Sequence, residues 1–141
     1  AGYLEAYLGG DRSQALPKIL LAAGLAPSSR AGYNAAFVLL QLNRPREADS
    51  ILGSLNPDRG PMRDWPTYWS QRAYAAHLLG DHDRERSYAR TMRARHPDQR
   101  VSWVIEARAL AAMGREQALD SLFVAAATLD PALVPTDEES R

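Results

Sequence analysis

Apolar positions recur along the chain at helical intervals, and Gly and Pro punctuate the runs. Residues 2–9 (GYLEAYLG) read as the end of a helix closed by Gly9 and Gly10. Asp11 offers an N-cap to a helix over about 12–24. Pro17 stands inside that run. It predicts either a start near Leu16, with Pro17 in the first turn, or a kink. Gly24 and Pro27 are expected to stop the helix. Ser28 or Ser29 caps the next one, over about 30–42, which Asn43 ends. Pro45 opens a partner over about 45–55, where Ala48, Leu52 and Leu55 mark one face. Residues 56–65 hold two Pro and one Gly and form the longest loop. A third pair covers about 66–79 and 82–95, turning at Gly80-Asp81. A fourth covers about 100–113 and 115–129, turning at Gly114. The tail beyond Pro131 is polar and acidic and is expected to be extended.

The last two pairs repeat one another. Trp69, Ala73, Ala76, Gly80 and Pro97 are answered by Trp103, Ala107, Leu110, Gly114 and Pro131, always 34 residues later. A period of this length marks a helix–turn–helix array. One hairpin cannot bury its apolar face alone, so neighbours must stack on it. Ala73 and Ala107 allow two backbones to approach, and a larger side chain there would overpack. Trp69 and Trp103 are expected to fill the gap between hairpins. Gly80 and Gly114 accept the left-handed backbone that ends a helix. Pro97 and Pro131 block the second helix from running on.

This pattern resembles the tetratricopeptide repeat family over nearly the whole chain. The last unit carries Trp103, Ala107, Leu110, Gly114, Phe123, Ala126 and Pro131 where the family motif expects them. The third keeps Trp69, Ala73, Gly80 and Pro97, but its second helix has Glu85, Ala89 and Met92 at the packing sites. The first keeps Gly10, Ala15, Ile19, Ala22 and Pro27. The second keeps Ala36, Asn43, Ala48, Leu52 and Leu55, with a following loop about three residues longer. The resemblance implies an all-α fold, a right-handed superhelical array of about four hairpins. Its units would cover about 2–27 (truncated), 29–57, 66–97 and 100–131, within a repeat domain over 1–131 and before an acidic tail at 132–141.

In this family partners often lie in a concave groove lined by the first helix of each unit. Carried over by position, the groove would present Arg30, Tyr33 and Phe37; then Thr67, Ser70, Tyr74 and His77; then Val101, Val104, Arg108 and Ala111. Aromatic residues and Arg are enriched in binding hot spots. The competing expectation is that these side chains pack against the array's own neighbours. The family subtype that grips a C-terminal carboxylate uses Lys and Asn on successive first helices. Here Lys18 lies in a second helix and Asn34 has no matching Lys. The segment also resembles C-terminal repeat regions of large bacterial signalling proteins, on the runs LNPDRGPM, WPTYW and AHLLGDH.

Charge and composition narrow the function further. The 17 basic and 17 acidic residues cancel, so no global field draws the chain to nucleic acid or an anionic membrane. Without Cys there is neither disulfide nor thiolate metal site. No apolar run approaches the roughly 20 residues that span a bilayer. A chain beginning at Ala1 is expected to be part of a longer protein, cytoplasmic, or periplasmic if its parent is membrane-anchored.

Candidate chemistry is sparse. Arg86, Arg90 and Arg93 share a helix face near Arg95 and Arg100, but Asp83, Glu85 and Asp98 dilute the charge, so a solvated face is expected. In Asp81-His82-Asp83 the side chains diverge on a turn, no second His is in view, and Asp81 suffices as a helix cap. His77 has no carboxylate at helical spacing and reads as a groove or packing residue. His96 can meet free carbonyls at a helix end. There is no Gly-rich phosphate loop, nucleophile elbow or paired catalytic carboxylate. The expectation is a protein–protein interaction module with no catalytic, cofactor or metal residues. The alternatives are a small-ligand or peptide sensor using the aromatic groove, and self-association through an uncapped end.

Overall fold

The computed structural model describes residues 12–25 and 30–129. These residues form seven α-helices and no strand: α1 (Arg12–Leu25), α2 (Arg30–Gln41), α3 (Pro45–Ser54), α4 (Thr67–Leu78), α5 (His82–Arg95), α6 (Val101–Ala112) and α7 (Glu116–Leu129). The fold class is therefore all-α, as expected. The helix expected at 2–9, the caps at Asp11 and at Ser28 or Ser29, and the tail at 132–141 lie outside the described residues. Among the described residues, no helix is long and apolar enough to cross a membrane.

Helix α1 starts at Arg12 and not near Leu16, so Pro17 does not fall in its first turn. Pro17 stands well inside the helix and is exposed. The helix runs to Leu25, within one residue of the end expected.

The first helix of each described pair ends in the same way. At α4, Leu79 N–H donates to the Ala75 carbonyl, Gly80 N–H to His77 and Asp81 N–H to Ala76. At α6 the donors Met113, Gly114 and Arg115 reach Ala109, Ala111 and Leu110, the same set 34 residues later. At α2 the donors Leu42, Asn43 and Arg44 reach Val38, Leu40 and Leu39. The closing residue is left-handed each time, with φ 55° at Asn43, 73° at Gly80 and 68° at Gly114. Six-to-one bonds of this kind satisfy the last carbonyls of a helix, and Gly or Asn is needed because other side chains clash there. The interval from Asn43 to Gly80 exceeds the repeat by the extra loop residues. Those residues are folded into a 3-10 turn, Gly60–Met62, which inserts Met62 into the core.

Helices pack in chain order from α1 to α7, and first helices also touch across hairpins, α2 against α4 and α4 against α6. Ala35, Ala36, Ala73, Ala75, Ala76 and Ala109 are fully enclosed, which is what close backbone approach requires. The apolar interior has two parts. A large cluster joins α1 to α4 around Ile19, Leu39, Leu52, Met62 and Tyr68. A smaller one joins α4, α5 and α6 through Ala73, Ala89, Met92 and Ile105. Trp69 packs against both. Tyr68 reaches back between hairpins, its Oη donating to the Leu52 carbonyl at 2.9 Å. Of α7, Ala126 alone is fully buried.

Two Gly→Ala substitutions should move stability in opposite directions. Gly80→Ala places a Cβ in the left-handed region and is expected to cost about 1 kcal/mol. Gly24→Ala meets nothing within 4 Å and is expected to add about 0.5–1 kcal/mol. Urea denaturation of the two variants checks both signs.

Candidate functional site

The interfaces between hairpins are not purely apolar. A buried carboxylate needs compensating charge and hydrogen bonds, because desolvating a lone ion costs several kcal/mol. Among the described residues, the buried Glu85 and Glu106 and the half-buried Asp49 meet that need. Asp49 on α3 accepts from Arg84 Nη2 at 3.0 and 3.1 Å, with Arg72 Nη2 at 3.5 Å. Tyr88 Oη accepts from both guanidiniums, at 2.7 Å from Arg72 and 2.8 Å from Arg84. The bonds to Asp49 and Tyr88 raise the Arg84 pKa still further above its ordinary range.

Glu106 on α6 is 2% exposed. Its Oε1 accepts from Arg86 Nε and Arg90 Nε, each at 3.1 Å, and Arg93 Nη2 lies 2.6 Å from Oε2. Burial pushes this carboxyl up, but the guanidiniums, Arg93 foremost, outweigh it and hold the group below its ordinary value. Arg93 also covers the Trp103 ring, 3.8 Å from its centroid. Of the arginine face expected to be solvated, Arg86 and Arg93 are turned against α6, while Arg90 reaches Glu106 and stays 60% exposed. The sequence hides this because Glu106 lies on a different helix, out of register with the periodicity of α5.

Glu85 on α5 is fully buried, at 0% exposure. It stands at a packing site where the repeat pattern calls for an apolar residue. Its Oε2 meets His77 Nδ1 at 3.1 Å and His82 Nδ1 at 2.8 Å, and Arg108 Nε donates to Oε1. Burial raises this carboxyl too, but the bonds from His82, Arg108 and His77 leave it below its ordinary value. His77, which has no carboxylate at helical spacing, thus meets one from α5. The turn at Gly80-Asp81 folds α5 back along α4 and brings Glu85 to it, at a separation in sequence that no single-helix spacing reveals. His82, expected to lack a second His, has one in His77, with ring centroids 5.4 Å apart. The ligand-capable atoms of His77, His82 and Glu85 all lie within 4.8 Å of one another. Asp81 and Asp83 do diverge, as expected. Asp81 caps α5 by accepting from Arg84 N–H at 3.3 Å, and Asp83 Oδ1 lies 3.6 Å from Arg115 Nη2.

The expected groove residues divide into two groups. On α2, the Arg30 guanidinium sits 4.9 Å from the Trp65 ring centroid. Tyr33 is only 5% exposed, its ring 4.5 Å from that of Trp65, and Phe37 packs against the main core. Tyr33 and Phe37 therefore serve chiefly as internal packing. On α4 and α6 the outcome is different. Tyr74 is 38% and Val104 62% exposed, and the Arg108 guanidinium lies 5.9 Å from the Tyr74 ring centroid. Ser70 lies one turn before Tyr74, its Oγ donating to the Thr67 carbonyl at 3.0 Å. Val101 is exposed one turn before Val104, and Ala111 is exposed too. Tyr74, His77, Val104 and Arg108 thus gather on two neighbouring first helices, with Glu85 beneath them.

A cavity of about 290 Å³ opens elsewhere, between residues 57–65 and the end of α5, with Trp65, Trp69, Arg95 and His96 in its wall. The Arg95–Asp58 pair at 2.6 Å and the stacking of Arg95 on Trp69 at 4.8 Å bind its walls together.

The sequence matches no protein-family model, and a search of curated proteins finds no relative.

Glu106→Ala leaves three guanidiniums facing one another and should lower stability by about 3 kcal/mol at pH 7. The folded carboxyl titrates below its ordinary value of 4.5, so its contribution is complete above that pH and is lost as pH falls through the folded value. The gap in Tm between wild type and variant should therefore narrow as pH falls below 4.5, which thermal denaturation at pH 7 and at successively lower pH would read.

Proposed function

We propose that this chain is a non-catalytic interaction module, a right-handed superhelical array of tetratricopeptide-type hairpins that binds a protein or peptide partner across α4 and α6. The observation that carries this reading is the shared surface of Tyr74, Val104 and Arg108. Large apolar groups and a planar cation adjoin one another on successive first helices. Tyr and Arg are enriched in binding hot spots, and Val104 adds exposed apolar area beside them. Glu85 fixes Arg108 in place, so less side-chain freedom is lost when a partner docks. Nucleic acid is disfavoured as the partner. The net charge is zero, and the densest run of arginines is spent on Glu106. The same reading places the chain in a larger bacterial signalling or regulatory protein, cytoplasmic or, with a membrane anchor, periplasmic.

A second reading, self-association through the last hairpin, is favoured by α7, where Val124 and Leu129 are exposed. Small-ligand or peptide sensing through the aromatic groove has weaker support, because Tyr33 and Phe37 are packed into the main core.

Val104→Glu is the direct test of the first reading. The position is exposed, so stability should change by no more than about 0.5 kcal/mol. Affinity capture from a lysate of the source organism should recover a partner with wild type and lose it with the variant. Identical recovery from both would remove the α4–α6 face from consideration. For the second reading, light scattering should show mass rising with concentration and Val124→Glu abolishing the rise. A constant monomer mass would exclude it.

A further inference from the structure

We propose that His77, His82 and Glu85 form a binding site for a borderline divalent transition metal of the Zn²⁺ or Co²⁺ kind, with water completing the coordination. The inference stands apart from partner binding and replaces the expectation of no metal site. Two imidazoles and one carboxylate are a donor set suited to such ions, three protein ligands leaving a fourth position open. The three groups converge from opposite sides of one tight turn. His77 sits in the last turn of α4, His82 in the first turn of α5, and Glu85 one turn further on. The turn is fixed by the six-to-one bond from Asp81 N–H to Ala76, so the ligands stand on rigid elements.

The two distances to Glu85 are near those a metal would set, and the ligand atoms of His77 and His82 lie within 4.8 Å of each other. Tetrahedral zinc at its usual ligand bond lengths separates neighbouring ligand atoms by about 3.3 Å. Glu85 Oε2 lies 3.1 Å from His77 Nδ1 and 2.8 Å from His82 Nδ1. A small outward shift of both rings admits an ion, which takes the place of the two Nδ1 hydrogens as each imidazole carries its proton on Nε2 instead. Both His side chains are partly exposed, at 32% and 22%, so a path for the ion and for water exists. Glu85 Oε2 is free to ligate because the other oxygen is already held by Arg108. Metal-ligating carboxylates are commonly anchored in this way. The same guanidinium adds positive charge nearby, so affinity is expected to fall below that of a closed four-ligand site.

The test uses the tag-free chain, whose His residues are His77, His82 and His96. Titration calorimetry with ZnCl₂ should show one equivalent bound, and CoCl₂ should produce a visible d–d absorption band. His77→Gln and His82→Gln keep a hydrogen-bonding group toward Glu85 but remove the imidazole, and each should weaken binding at least tenfold. His96→Gln, outside the cluster, should bind as wild type does. A readout without substitution uses ¹⁵N-labelled imidazoles, where ZnCl₂ should shift the nitrogens of His77 and His82 and leave those of His96 in place. The proposal is overturned if wild type shows neither heat nor band, if His77→Gln and His82→Gln bind undiminished, or if His96 is the ring that responds.

Discussion

A carboxylate with no exposed surface dictates what its neighbours must be. Glu85 occupies a place in the hairpin where a small or apolar side chain would pack more simply, and three helices answer it. α4 supplies His77, α5 itself supplies His82, and α6 supplies Arg108. Glu106 repeats the arrangement in reverse, with the acid on α6 and the cations on α5. Asp49 does the same between α3 and the following hairpin. Replacing such pairs by well-packed apolar residues is often neutral or stabilising, so their worth need not lie in total stability. What they supply is directionality. An apolar face tolerates sliding of one hairpin over the next, whereas a guanidinium held to one carboxylate fixes both register and neighbour.

The helices and their turns were legible because their signals are local. Gly80, Gly114 and Asn43 announce a left-handed residue, and each is found at one. Asp81 announces a cap and accepts from Arg84 N–H. The repeat told which elements are equivalent, and the matching hydrogen bonds at the ends of α2, α4 and α6 follow from it. At Pro17 the first-turn placement gave way to the tertiary context of α1, whose Ala15, Leu16 and Ile19 are buried against the next helix.

The site was less legible. Its groups are distant in sequence, and helical spacing speaks only of neighbours on one helix. Arg86, Arg90 and Arg93 were correctly placed on one face, yet what that face meets was not readable from α5 alone. Glu85 did carry a signal. A charged residue at a packing position of an otherwise apolar register has to be compensated. The candidates for that role were the nearby His and the Arg at the corresponding depth of the next helix. Tyr33 shows the opposite case, an aromatic at a groove position that the longer loop, with Trp65, draws inward.

The ionic ties converge on one helix. α5 reaches backward through Arg84 to Asp49 and forward through Glu85, Arg86, Arg90 and Arg93 to α6. In a linear array where each hairpin touches only adjacent ones, cooperativity is normally passed on by nearest neighbours and is lost from the ends. Here one element clasps both sides, so it acts as a keystone. Opening of α7 leaves it in place, whereas its own release leaves α4 and α6 joined only by their direct contact. The slowest amide exchange in the molecule should accordingly belong to α5, in the middle of the array, with protection fading toward the C-terminal end.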